Sequence, residues 1–237
     1  MTKTKKLNNL FDDWMKDSDY ETYHRYGFMK DGIIDEAEFE KQEKKVLFIS
    51  NEANVENHDN SPKTITDRRC QFDEYFNSEI DNWSGKMRER ICCLYQVVIK
   101  DFQNEKTPYK VANKFAFMNL NKSGGGNICD IENIEDYCKK YKDYIKKEIE
   151  IISPDIIIWL GCNTYDKKIP ELLDAKYIKK NKCKIIEIDS KQVPIIRMWH
   201  TSYTRIRSAD RLNEFDNLII DKMAKKLSYE LKKINWN

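Results

Sequence analysis

The chain has 237 residues, 40% of them apolar and 12% aromatic, which is enough to build one sizeable core. Charged residues make up 35%, yet the net charge is only +2, so a histone-like blanket of positive charge is excluded while a local basic face is not. The seven cysteines are odd in number, contain no C-x-x-C pair and accompany no apolar leader or bilayer-length stretch, which reads as reduced thiols in a cytoplasmic protein without a membrane segment.

Residues 7–45 are polar with scattered aromatics (Phe11, Trp14, Tyr20, Tyr23, Tyr26, Phe28) and read as an N-terminal helical extension of short helices packed over a sheet. Val46-Leu47-Phe48-Ile49 is the first strand, because a short apolar run bounded by charges and then asparagines fits a buried strand. Residues 51–70 read as a polar loop. A helix follows over about 73–102, with Met87, Ile91, Leu94, Val98 and Phe102 on one stripe. Phe115–Leu120 is the second strand and runs into Ser123-Gly124-Gly125-Gly126, which reads as a flexible turn. A second helix over about 133–152 carries Tyr137, Tyr141, Ile145, Ile149 and Ile152 on one face, and Pro154 stops it. Asp155–Leu160, Lys184–Ile188 and Val193–Trp199 are further strands, and a last helix covers about 208–234. There is no linker and no repeat, so one domain is expected. Strands alternating with helices imply a three-layer α/β/α sandwich around a mostly parallel sheet of four or five strands.

Three apolar runs end in polar residues of chemical interest. The first leads into Ser50-Asn51-Glu52-Ala53-Asn54, the second into Asn119-Leu120-Asn121-Lys122, and the last into His200-Thr201-Ser202-Tyr203-Thr204-Arg205. Open α/β sheets bind ligands at the carboxyl ends of their strands. A carboxylate, an amide and an imidazole therefore fall on what reads as one rim. His200 is one of three histidines; His24 and His58 lie in polar stretches, and no Cys/His cluster has zinc spacing.

The order of these blocks resembles the uracil-DNA glycosylase superfamily over about residues 44–205. Ser50-Asn51-Glu52-Ala53-Asn54 is similar to the loop written G-Q-D-P-Y in one branch and G-E-A-P-G in another. Asn119-Leu120-Asn121-Lys122 is similar to an N-V-V-K block, Pro154-Asp155-Ile156-Ile157-Ile158-Trp159-Leu160-Gly161 to a P-x-x-I-x-x-L-G segment, and His200-Thr201-Ser202 to an H-P-S motif. The chain departs from these patterns at Ser50, Ala53 and Thr201. It has no cysteine before position 70, so the iron–sulfur cluster of the thermophilic branch is not expected, nor any other cofactor or metal.

The resemblance implies a monomeric, monofunctional DNA glycosylase that flips a base out of DNA and hydrolyses its N-glycosidic bond, because that bond is out of reach inside a duplex. Its setting is base-excision repair of uracil or defence against phage carrying modified bases. One alignment makes Glu52 the residue that activates water, the other makes it Asn51. His200 is the donor to the leaving base. Asn119 and Asn121 would read the base, Asn54 would set the width of its site, and Phe72 would stack on it or pack in the core. Lys122, Ser202, Tyr203, Arg205 and Arg207 would contact DNA, with Tyr203 or Arg205 filling the gap left by the base. Two rival functions stay open: an inactive nucleic-acid-binding module of the same fold, and a nucleoside hydrolase.

Overall fold

The computed structural model describes residues 1–24, 26–54, 64–69, 83–99, 111, 113–125, 130–161, 169–178, 183–198 and 212–234. Thr2 caps the first helix, α1 (Lys3–Trp14), by accepting a hydrogen bond from the Lys5 N–H. Glu36 adds a tertiary cap: its two carboxylate oxygens accept from the Lys3 and Thr4 N–H groups at 2.7 and 2.8 Å. Helix N-termini leave amides unpaired and carry partial positive charge, so a carboxylate from elsewhere both satisfies and tethers them. The N-terminal segment continues through α2 (Tyr20–Tyr23), β1 (Gly27–Lys30), β2 (Gly32–Ile33) and α3 (Glu36–Glu40).

Next come β3 (Val46–Asn54), β4 (Thr64–Asp67), α4 (Trp83–Val98), β5 (Ala116–Gly125), α5 (Ile131–Lys140), α6 (Lys142–Ile152) and β6 (Ile156–Trp159). The chain ends with α7 (Ile169–Leu172), β7 (Lys176–Ile178), β8 (Cys183–Ile188), β9 (Lys191–Arg197) and α8 (Leu212–Leu231). Among the described residues, one sheet has seven strands in the order β2-β5-β3-β6-β9-β8-β7, and β1 pairs with β4 in a separate ribbon. The four strands β5, β3, β6 and β9 are mutually parallel, while β2, β8 and β7 join antiparallel at the edges.

Helices cover both faces, so the central strands are apolar at successive positions instead of every second one. Leu47, Ile49, Ala116, Met118, Ile157 and Trp159 pack into one core with Leu7, Phe11 and Trp14 of α1 and Ile145, Ile149 and Ile152 of α6. Val46, Phe48, Phe117, Ile156, Ile158 and Ile196 pack into the other with Ile91, Leu94 and Tyr95 of α4 and Met223 and Leu227 of α8. The mixed α/β layering is the expected one.

The five expected strands are all present, and the differences have local causes. β2 and β7 are two and three residues long, too short to show a period. β8 and β9 form a hairpin through Asp189 and Ser190, both with positive φ, the twist that a two-residue hairpin turn needs. The helix expected over 133–152 is broken at Tyr141, whose backbone leaves the helical region while its buried ring packs 5.4 Å from Trp14 and 4.8 Å from Tyr137. Ser153 then takes a left-handed conformation ahead of Pro154 and ends α6. The N-terminal segment is more than a helical overlay: it supplies β2 to the sheet, and Phe11, Trp14 and Phe28 to the core. His24 sits among polar residues in sequence but is fully buried among aromatics. Its Nδ1–H donates to the Tyr20 carbonyl at 3.1 Å, which leaves Nε2 to accept from the Tyr137 hydroxyl at 2.8 Å.

Candidate functional site

From β3 the chain crosses to β5 on one side and then returns past β3 to β6 on the other, so the winding reverses at the β3/β6 boundary. The crevice outside the carboxyl ends of strands at such a reversal is where open α/β sheets bind ligands. The ladder holds up to this rim. Leu160 N–H donates to Ile49 O at 2.7 Å and Met198 N–H to Trp159 O at 2.8 Å, which keeps the ends of β3, β6 and β9 side by side.

β3 does not stop at Ile49. Asparagine and glutamate are poor strand formers, but parallel pairing carries them on, with Ser50 opposite Asn119 and Glu52 opposite Asn121. Past that point the register shifts. β3 advances two residues to Asn54 while β5 advances four to Gly125, so β5 bulges over Lys122–Gly124. A straight strand would separate residues 121 and 125 by about 13 Å. The bulge instead brings both against the Glu52 carboxylate. Asn121 Nδ2 donates to Glu52 Oε2 at 3.1 Å and to the Gly124 carbonyl at 3.2 Å, while its Oδ1 accepts from the Ser123 N–H at 2.9 Å. Gly125 lies so close to Glu52 that a Cβ there would overlap the carboxyl carbon and both oxygens. Ser123, Gly124 and Gly125 of the expected flexible turn are thus the bulged end of a strand, and Gly126 lies outside the described residues.

Beneath the bulge lies a buried charge cluster. The Lys122 ammonium is fully buried, 2.5 Å from Asp31 Oδ1 and 2.8 Å from Glu148 Oε2, and both carboxylates are fully buried as well. Asp31 Oδ2 also accepts from the Asn119 N–H at 2.8 Å, with Asn119 Nδ2 at 3.4 Å. The Phe11 and Trp14 rings close over the ammonium at 5.7 and 5.9 Å. Burial pushes the Lys122 ammonium towards losing its proton, but Asp31 and then Glu148 outweigh it and hold it above the usual lysine range. Burial pushes Glu148 well above the usual carboxylate range; Lys122 opposes this and the Asp31 charge adds to it.

Asn51 and Glu52 on β3 and Asn119 and Asn121 on β5 lie on two adjacent, paired strands. The backbone of Asn54 pairs with Gly125 at the same end. Two expected roles need correction. Lys122 is not a phosphate contact: it is sealed in the core between two carboxylates. Asn121 is not a base reader, because both its N–H donors and its carbonyl oxygen are engaged in holding Glu52 and the bulge. Asn119 and Asn51 are buried at 4% and 8% exposure, and the Asn119 amide faces Asp31. His200, Phe72, Ser202, Tyr203, Arg205, Arg207 and His58 lie outside the described residues.

Asp31, Glu148 and Gly125 were not singled out from the sequence. Glu148 carries the clearest signal, since it falls on the apolar stripe of α6 between Ile145 and Ile152. A carboxylate in that position must be paired or protonated. Among the described residues, no group of three or more His, Cys, Asp or Glu is placed to hold a metal ion, and no helix is long and apolar enough to cross a membrane. No protein-family model matches the chain, and no curated protein matches it.

Proposed function

We infer that the chain is a monofunctional DNA glycosylase of the uracil-DNA glycosylase type, and that it hydrolyses the N-glycosidic bond of a flipped base. The observation that carries this reading is the Glu52 carboxylate, fixed by Asn121 and Gly125 at the carboxyl ends of β3 and β5, beside the reversal of strand order. Hydrolysis of that bond builds positive charge on the sugar and negative charge on the base. Glu52 orients the attacking water and offsets the sugar's charge. Of the two alignments, the one that assigns this role to Glu52 fits better, because Asn51 is buried while Glu52 is only partly so.

His200 follows the last residue of β9 by three positions in sequence and donates to the departing base. A preorganised donor at such a developing charge is worth about 10²–10³ in rate. With Asn121 committed to Glu52, base reading falls to Asn119 and Asn51. Lys122, sealed in the core between Asp31 and Glu148, is out of reach of an abasic sugar and forms no Schiff base with it.

The test uses oligonucleotides carrying uracil, hypoxanthine, or hydroxymethylated or glucosylated cytosine, followed by alkali to cleave abasic sites. Release from at least one is expected, with Glu52→Gln and His200→Ala each lowering the rate by about 10²-fold or more. No release, with DNA binding that weakens steeply with salt, assigns the chain to the binding modules. Release from free nucleosides with little salt dependence assigns it to the nucleoside hydrolases.

A further inference from the structure

Two glycines at the end of β5 serve different needs. Gly124 has a φ of 79°, in the left-handed region that glycine occupies without strain, so the bulge itself requires it. Gly125 has no such backbone demand, since its φ lies outside that region. A glycine inside a strand weakens it and marks a place where something approaches the backbone closely. Here the approaching group is the carboxyl of Glu52, which fills the volume that any other side chain at 125 would take.

Two further features hold this arrangement. Asn121 holds Glu52 Oε2 with a hydrogen bond from its side-chain amide. Lys122, at the start of the bulge, is pinned in the core by Asp31 and Glu148. The slot is therefore built by residues whose own positions are fixed.

We propose that Gly125 is a positioning residue: its missing side chain is the slot that holds the Glu52 carboxylate in one orientation at the rim. The kinetic part of this inference rests on the glycosylase reading; the structural part does not.

Gly125→Ala is made in the unaltered chain and in the Glu52→Ala and Glu52→Asp backgrounds. In thermal unfolding, Gly125→Ala lowers Tm by about 4 °C or more when Glu52 is present. In the Glu52→Ala background, where the slot is empty, the fall is about 1 °C or less. That double variant also folds if the single one does not. In base release, Gly125→Ala lowers kcat about tenfold or more with KM changed by less than about threefold, because the substrate still binds but the carboxylate is misplaced. In the Glu52→Asp background, whose carboxylate is drawn back towards β3 by one methylene, the loss is less than about threefold.

Equal effects of Gly125→Ala with and without the Glu52 side chain overturn the proposal. So does an active chain whose kcat is indifferent to Gly125→Ala. Coupling in unfolding, with no base release by the unaltered chain on any oligonucleotide, retains the slot and rejects the glycosylase reading.

Discussion

Lys122→Met removes the cation from a site where it and both carboxylate partners have no solvent exposure. Water cannot replace it there, and Phe11 and Trp14 close the remaining side. The variant leaves Asp31 and Glu148 facing each other without a counter-charge, and losing one partner of a buried pair costs about 3–5 kcal/mol. At about 2–4 °C per kcal/mol for a chain of this size, Tm falls by about 6–20 °C. The loss depends on pH. Without the ammonium, which opposes proton uptake by Glu148, that carboxyl holds its proton more tightly still, so the deficit is smaller near about pH 5 than near about pH 8. Circular dichroism melts at both pH values read this directly. The neutral combination Asp31→Asn, Lys122→Met and Glu148→Gln recovers much of the Tm, since hydrogen-bonded neutral groups do not need the cation. A fall of less than about 2 °C, or one equal at both pH values, refutes the buried cluster.

The remaining expectations concern the same core and its charges. Glu148 holds its proton more tightly folded than unfolded, so the folded chain carries more protons from the ordinary glutamate value of about 4.3 upward, and stability falls as pH rises through that window. Glu148→Gln mimics the protonated acid; it flattens this slope and leaves Tm at neutral pH at or above that of the unaltered chain, as Tm measured against pH will show. Trp14 is fully buried with rings of Tyr144, Tyr141 and Phe28 at 5.1, 5.4 and 5.7 Å, so Trp14→Ala costs about 3–5 kcal/mol in urea unfolding. A near-neutral result there would make the N-terminal segment an accessory and not part of the core.

The strands at Val46, Ala116, Ile156 and Val193 were legible because unbroken apolar runs of that length suit strands covered on both faces. So was their polar outflow, which put Glu52, Asn51, Asn119 and Asn121 on neighbouring strand ends. Lys122 was misread for a physical reason. A lysine beside a glycine run looks solvated when its sequence neighbours alone are considered, and its partners lie 91 residues upstream at Asp31 and 26 downstream at Glu148. Gly125 was visible but misassigned, since a run of three glycines reads as slack backbone until the group filling the space is known.

The sequence by itself determined the longer strands and helices and the polar residues that follow them, and therefore a layered α/β chain. Side-chain period and apolar run length are local properties, and local chemistry suffices to read them. Only the tertiary structure decided what each polar group does. Pairing across β3 and β5, the bulge that draws Asn121 and Gly125 onto Glu52, and the burial of Lys122 between two acids all depend on contacts distant in sequence. Charge and hydrogen bonding take their meaning from what surrounds them in space.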